Sequence, residues 1–317
     1  MVDLYPYLFL SVGLALLAWG GCVLVDGAVD VAKKMHVSSL LIGLTLVGFG
    51  TSTPELLTSL RATMIHSPGI ALGNVVGSNI ANILLVLGIA AVIHPVHVEQ
   101  TAFNRDGFFL LLSTVVLMGV SFFSQTIGFL VGAVMTALLI FYVFYSYKME
   151  KTHPTEEHSA SSEVQTEKET SLFVNLLKTV LGIGMTIFGA ELLVQNAVTL
   201  ARIWKVSESV IGLTIVAVGT SLPELATSAA ASFKKQNAIA FGNVVGSNIY
   251  NALFILGVTA VFLPVHIPQD SSKESLYVMA GVTLLLLFLG KVFRKIGRAW
   301  GVVFLLFYGV YVVCLIK

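Results

Sequence analysis

Two carboxylates carry the chemistry this sequence has to offer. Glu55 sits in "GFGTSTPELLTS" (Gly48–Ser59) and Glu224 in "AVGTSLPELATS" (Ala217–Ser228), each inside a long apolar run. An ionised side chain at the centre of a bilayer costs about 3 kcal/mol or more on insertion scales, so it is expected to line a cavity or meet a partner. Both acids follow a proline, Pro54 and Pro223. Proline has no N–H and its ring clashes with the carbonyl four residues back, so the helix kinks and carbonyl oxygens are released. Those oxygens come from Gly48–Thr51 in one stretch and Ala217–Thr220 in the other. Thr51 and Thr220 lie one turn before the acids on the same face, and Ser52 and Ser221 add hydroxyls. Carboxylate, hydroxyl and bare carbonyl, with neither Cys nor His, form a hard-cation ligand set suited to Ca²⁺ or Na⁺ rather than Zn²⁺ or Cu²⁺.

A second motif is written twice, letter for letter: "GNVVGSNI" at Gly73–Ile80 and at Gly242–Ile249. Asn74, Ser78 and Asn82 recur every four positions and share one helical face, drifting by about 40° per step. Asn243, Ser247 and Asn251 repeat the pattern. Gly73 and Gly77 form a G-x-x-x-G that admits a neighbouring backbone. Small and polar faces of this kind also serve packing alone. Duplicated beside an intramembrane Pro–Glu, they read as a ring of neutral oxygens around ions held by the two carboxylates.

The elements that must position these groups follow from composition. The chain is 317 residues, 56% hydrophobic and only 11% charged, with a mean hydropathy of +0.90. Ten runs are long and apolar enough to cross a bilayer as helices: about 5–25, 38–62, 70–93, 107–124, 126–147, 172–200, 207–232, 238–263, 275–290 and 298–316. The expected fold is an all-α polytopic membrane protein. Residues 42–88 align with 211–257 without gaps, with 28 identities in 47 positions, which marks a duplication. Each half then carries five crossings, an odd number, so the two copies face opposite ways. Inverted repeats place a substrate site near the midplane on interrupted helices. The organisation expected is a first five-helix repeat over 1–149, a linker over 150–171 and a second repeat over 172–317. The linker holds six Glu and two Lys without apolar periodicity and reads as a solvated cytoplasmic tether.

Lys and Arg set the orientation. Twelve of them fall in loops on the face away from the termini and five on the terminal face, so both termini are expected outside the cytoplasm of a cell (inner or plasma) membrane. The first apolar run lacks a basic n-region and a small-residue cleavage site and reads as a retained helix. A net charge of +1 gives no argument for nucleic acid. Cys22 and Cys314 fall near opposite faces, so no disulfide is expected. Glu191 has no acidic counterpart, since its equivalent is Cys22, and is open between structural pairing and cavity lining. His94, His97 and Glu99 in "HPVHVE" lie at a helix end before a loop and read as structural rather than as a metal site. No phosphate loop, H-E-x-x-H or Ser/His pairing is present, so an enzyme or an ATP-driven pump is not expected.

At the two Pro–Glu motifs and the duplicated octets, the chain resembles the cation/Ca²⁺ exchanger superfamily, and most of all its prokaryotic sodium/calcium exchanger branch. The resemblance covers essentially the whole chain. It implies antiport of about three Na⁺ against one Ca²⁺ by alternating access, with no cofactor and no obligate protein partner beyond the ions and the bilayer. It implies Ca²⁺ ligands at Glu55, Glu224 and the backbone of Thr51 and Thr220. It implies sodium sites drawn from the same groups plus Ser52, Ser221, Ser78, Ser247, Asn82, Asn251 and the backbone of Gly48 and Ala217. Potassium-dependent relatives rely on an acid at the place of Asn251, so this chain is expected to be independent of K⁺. An H⁺-coupled or other divalent-cation antiporter on the same fold stays open as an alternative, as does a passive cation channel, which would need no duplicated inverted site.

Overall fold

The computed structural model describes residues 5–65, 68–98, 100–152, 171–203, 217–267 and 273–316. Long uncharged apolar runs close their backbone hydrogen bonds within themselves, and helices follow. In chain order they are α1 (Tyr5–Met35), α2 (Ser39–Ile42), α3 (Gly48–Thr51), α4 (Thr53–Met64), α5 (Pro68–Ala81), α6 (Leu87–Ile93), α7 (Gln100–Phe123), α8 (Phe129–Thr152), α9 (Leu172–Ile203), α10 (Ala217–Gly219), α11 (Leu222–Phe233), α12 (Asn237–Tyr250), α13 (Leu256–Phe262), α14 (Lys273–Phe293) and α15 (Arg298–Ile316). Single π-helical turns join α2 to α3 (Gly43–Val47), α5 to α6 (Asn82–Val86) and α12 to α13 (Asn251–Ile255).

Among the described residues, eight helices are long and apolar enough to span a membrane, and there are nine if the pair Ser39–Thr51 and Thr53–Met64, bent by 41°, is counted as one broken span. The expected span over 207–232 falls in part on residues outside those described, as does most of the linker. Among the described residues the expectation of an all-helical chain holds apart from two ribbons of two residues per strand. Here β1 (Val96–His97) pairs antiparallel with β4 (Lys295–Ile296), and β2 (Thr126–Ile127) with β3 (Val265–His266). Since β1 precedes α7 and β2 follows it, the ribbons tie the two halves together at opposite ends of that helix.

The duplicated segments form the centre. In the span Asn237–Phe262, 83% of the most apolar window is buried, and in Gly69–Ile93 72%, against 11% for Arg298–Leu315. The outer helices α8 and α15 turn Leu130, Phe144, Leu306 and Val310 outward, as a surface facing lipid requires. Helices α1 and α9 pack antiparallel at backbone distance, with Gly13 against Gly189 and Gly27 against Thr179. A Cβ at Gly20 would stand 2.7 Å from the Met185 Cβ, and one at Gly182 would stand 2.5 Å from the Leu24 nitrogen, so only hydrogen fits at either place. At one end of this pair, Lys234 Nζ meets Asp26 Oδ1 at 2.6 Å and donates to the Cys22 carbonyl at 2.9 Å, while Lys178 Nζ lies 3.4 Å from Asp30 Oδ2.

Candidate functional site

The site is built where the spans break. Ser52 (φ −82°, ψ 6°) separates α3 from α4, and Ser221 (φ −88°, ψ 6°) precedes α11. The equivalent serines thus share one backbone conformation in the sparsely used bridge region. The prolines were expected to kink continuous helices. Instead each occupies the first turn of a new helix, where its missing N–H costs nothing and its fixed φ suits the start. The acids then fall in the same first turn, with the positive end of the helix dipole beside them. Helical bonding resumes at once, with the Leu56 N–H donating to the Ser52 carbonyl at 3.2 Å and the Leu225 N–H to the Ser221 carbonyl at 3.0 Å.

Glu55 and Glu224 are fully buried, and so are Thr51, Asn82, Ser247 and Asn251, with Ser52, Ser78 and Ser221 almost so. Thr220 is half-buried, Gly48 is buried at the head of α3 and Ala217 opens α10. The two copies meet here. Ser52 Oγ donates across to Glu224 Oε1 at 3.1 Å. The remaining polar atoms of the site have no partner among the described residues: both oxygens of Glu55, Oε2 of Glu224, the hydroxyls of Ser78, Ser221 and Ser247, Oδ1 of Asn82, and both the oxygen and the nitrogen of the Asn251 amide. Buried polar atoms are as a rule hydrogen-bonded, and each exception calls for an explanation. Eight orphaned oxygens, three of them on carboxylates, make a concentration of hard donors suited to a dehydrated cation.

Asn82 and Asn251 each open a π-helical turn, a local widening that recurs at functional sites. The Asn82 amide is oriented from behind: its Nδ2 donates to Asn248 Oδ1 at 3.0 Å, and Asn248 Nδ2 donates to the Asn79 carbonyl at 3.2 Å. Sequence reasoning passed over Asn79 and Asn248, although their presence in an octet repeated without change was a signal. It also placed Asn74 and Asn243 among the neutral oxygens around the ion. That is corrected here, because both amides are engaged on two sides. Asn243 Nδ2 reaches the Glu224 carbonyl (3.2 Å) and Ser228 Oγ (2.9 Å), and its Oδ1 accepts from Thr51 Oγ1 (3.1 Å). Asn74 repeats this with the Glu55 carbonyl (3.2 Å), Ser59 Oγ (3.1 Å) and Thr220 Oγ1 (3.4 Å). The close backbone approach expected at Gly73 and Gly77 is not seen among the described residues, where a Cβ on either would meet nothing within 4 Å, whereas their counterparts Gly242 and Gly246 lie against Leu40 and Leu44. The equivalents of those leucines, 209 and 213, lie outside the described residues.

Other candidates stay away from this centre. Glu191 is exposed on α9 and accepts from Gln195 Nε2 at 3.1 Å, so it does not line the cavity. His94 Nδ1 lies 3.1 Å from Asn237 Oδ1 and His97 sits in a ribbon opposite Lys295, while Glu99 is outside the described residues. A buried ionic cluster went unnoticed in the sequence. Arg105 grips Asp106 with two contacts, 2.7 and 2.9 Å, and lies 3.6 Å from Glu150, and Tyr142 donates to Asp106 at 3.2 Å.

The family model described as sodium/calcium exchanger protein matches residues 5–148 and again 174–317. The putative antiporter CaxA of Alkalimonas amylolytica is 36% identical over 305 residues, covering 94% of this chain and 95% of the relative. The sodium/calcium exchanger MaX1 of Methanosarcina acetivorans is 33% identical over 342 residues, covering 98% of each. A solved structure of the sodium–calcium exchanger NCX_Mj, soaked with Na⁺ and Sr²⁺, superposes with a TM-score of 0.83 at 33% identity over 99% of both chains. These relatives are transporters rather than enzymes. A polytopic helical chain with paired buried carboxylates, matched twice by one family model and over its full length by named exchangers, belongs to the sodium/calcium exchanger protein family.

Proposed function

We propose that this chain is a secondary active antiporter of a cell membrane that exchanges Na⁺ for Ca²⁺ through one shared site at the meeting of its two copies. The observation that carries the reading is the group of orphaned oxygens contributed by both copies: Glu55, Ser78 and Asn82 from the first, Glu224, Ser221, Ser247 and Asn251 from the second. Thr51, Thr220, Gly48, Ala217 and Ser52 complete the ligand set through their backbone oxygens or hydroxyls. In this reading the chain is ten spans in two inverted five-helix repeats (1–149 and 172–317), and the copies expose the site to either side in turn. Both termini lie outside the cytoplasm. Two ionised carboxylates supply about two negative charges, which one Ca²⁺ balances and three Na⁺ exceed by one, so each cycle moves one net charge, worth about 2.3 kcal/mol per 100 mV. With a negative interior, Na⁺ entry then drives Ca²⁺ out.

The test is ⁴⁵Ca²⁺ uptake into Na⁺-loaded proteoliposomes. Uptake should require an outward Na⁺ gradient, and an inside-positive potential set with K⁺ and valinomycin should speed it. Uptake without a Na⁺ gradient would identify a channel, and uptake driven instead by a proton gradient would identify an H⁺-coupled antiporter. Rates indifferent to potential would replace the three-for-one count by an electroneutral two-for-one.

A further inference from the structure

We infer that Asn74 and Asn243 are positioning residues: a crosswise pair of amide brackets that fixes the separation of the two Pro–Glu breaks and thereby the size of the ion site. The inference rests on the shared site proposed above. It starts from hydrogen-bond inventory. The Glu224 backbone carbonyl can only accept, so the atom of Asn243 that faces it at 3.2 Å is the NH₂ group, and the second donor goes to Ser228 Oγ at 2.9 Å. The orientation of the amide is settled by that contact. Its oxygen then faces Thr51, whose hydroxyl is the donor in that 3.1 Å contact and lies equally close, 3.1 Å, to the Val47 carbonyl of its own helix. Asn74 obeys the same logic with the Glu55 carbonyl, Ser59 and Thr220. Each asparagine therefore holds the backbone of its own copy's acid with one end and the other copy's threonine with the other.

The consequence reaches the ligands without touching the ion. The Thr51 hydroxyl proton is shared between Asn243 Oδ1 and the Val47 carbonyl, both at 3.1 Å, and the Thr220 hydroxyl faces Asn74 Oδ1 at 3.4 Å, so both hydroxyls have partners in the protein and the threonines' backbone oxygens are their contribution to the site. The peptide of each acid is tethered to the break that precedes the opposite acid. Removing one bracket releases a carboxylate in one copy and a carbonyl in the other together. Groups that orient metal ligands from behind typically change metal affinity or activity by about 10–100-fold when lost, whereas a merely structural loss lowers the amount of working protein and leaves affinity alone.

The experiment uses the full chain, purified and reconstituted. Wild type, Asn243→Ala, Asn74→Ala, Thr51→Val, Thr220→Val and the double Thr51→Val/Asn243→Ala are compared by equilibrium ⁴⁵Ca²⁺ binding and by Na⁺-driven ⁴⁵Ca²⁺ uptake. The half-saturating Ca²⁺ concentration should rise by about 10–100-fold in the single variants, with the maximal rate per folded molecule within about threefold of wild type in Asn243→Ala and Asn74→Ala. The double should be no worse than its worse single, since both changes cut the same link. The isosteric valine variants decide the matter if an alanine variant fails to fold. Half-saturation within twofold of wild type in the valine variants, or a double whose effect is the product of its singles, overturns the brackets. If wild type neither binds nor transports Ca²⁺, it is the proposed function that fails.

Discussion

Neutralising one carboxylate of the site should damage Ca²⁺ binding far more than Na⁺ binding. Glu55 and Glu224 are fully buried, and a glutamine at either position keeps the shape while removing one charge. With the ion about 4 Å from the charge centre and an effective dielectric of about 20, a unit pair interacts by about 4 kcal/mol, hence about 8 kcal/mol for Ca²⁺ and about 4 for Na⁺. Part of this returns because a neutral amide is cheaper to bury. If half returns, Ca²⁺ still loses about 4 kcal/mol, a thousandfold, and each Na⁺ about 2 kcal/mol, some thirtyfold. Equilibrium binding of ⁴⁵Ca²⁺ and ²²Na⁺ to purified Glu55→Gln and Glu224→Gln reads both quantities. Monodisperse protein with wild-type thermal stability shows that the fold survives. Ca²⁺ affinity within threefold of wild type in both variants, or equal losses for the two ions, would refute the shared-carboxylate reasoning.

Three more expectations follow from other parts of the molecule. The resemblance places Asn251 where potassium-dependent relatives rely on an acid, so exchange should run equally in K⁺-free and K⁺-containing media, and arrest on K⁺ removal would contradict the proposed role of Asn251. Gly182→Ala would drive a methyl into the Leu24 backbone, and such overpacking costs about 1–3 kcal/mol, read as a lowered midpoint of thermal unfolding. Asp106→Asn leaves Arg105 without its two-point partner in a buried cluster, so it should destabilise by about 3–5 kcal/mol; an unchanged unfolding midpoint would count against a structural role for that cluster.

The parts of this protein legible in the sequence are those that repeat. A constant shift of 169 positions exposed Glu55 with Glu224 and Asn82 with Asn251, and lipid solvation fixed the spans closely enough that the run read at 298–316 is the helix Arg298–Ile316. Three things were not legible, each for its own reason. The π-helical turns at Asn82 and Asn251 leave the spacing of apolar residues almost untouched over five positions, so periodicity cannot report them. The brackets cross between copies, and a repeat tells which residues are equivalent, never which copy each touches. Arg105 and Asp106 lie just before a span read as starting at 107, where charges pass for loop solvation, and only the return of α8 brings Tyr142 and Glu150 beside them. The ribbons at Val96–Ile296 and Ile127–Val265 are too short to leave a pattern of alternation.

The two copies are equivalent in sequence and unequal in bonding, and that inequality orders the carboxylates. Ser52 Oγ donates to Glu224 Oε1 at 3.1 Å, whereas among the described residues its counterpart Ser221 Oγ has no partner and neither does any oxygen of Glu55. Glu224 thus enters ion binding with one lone pair already engaged, and Glu55 with none. A hydrogen bond to a charged group is worth about 1.5–3 kcal/mol, so an arriving cation relieves more at Glu55 than at Glu224. Calcium, which takes carboxylates in one-oxygen or two-oxygen fashion, should therefore lean on Glu55. The expected order is a greater loss of Ca²⁺ affinity in Glu55→Gln than in Glu224→Gln, by about tenfold for about 1.4 kcal/mol. Ser52→Ala frees Glu224 Oε1 and should narrow that gap when placed in both backgrounds. Equal losses in the two glutamine variants, or a gap that Ser52→Ala leaves unchanged, would show that the ion reshapes the site on entry and that the unequal bonding carries no preference.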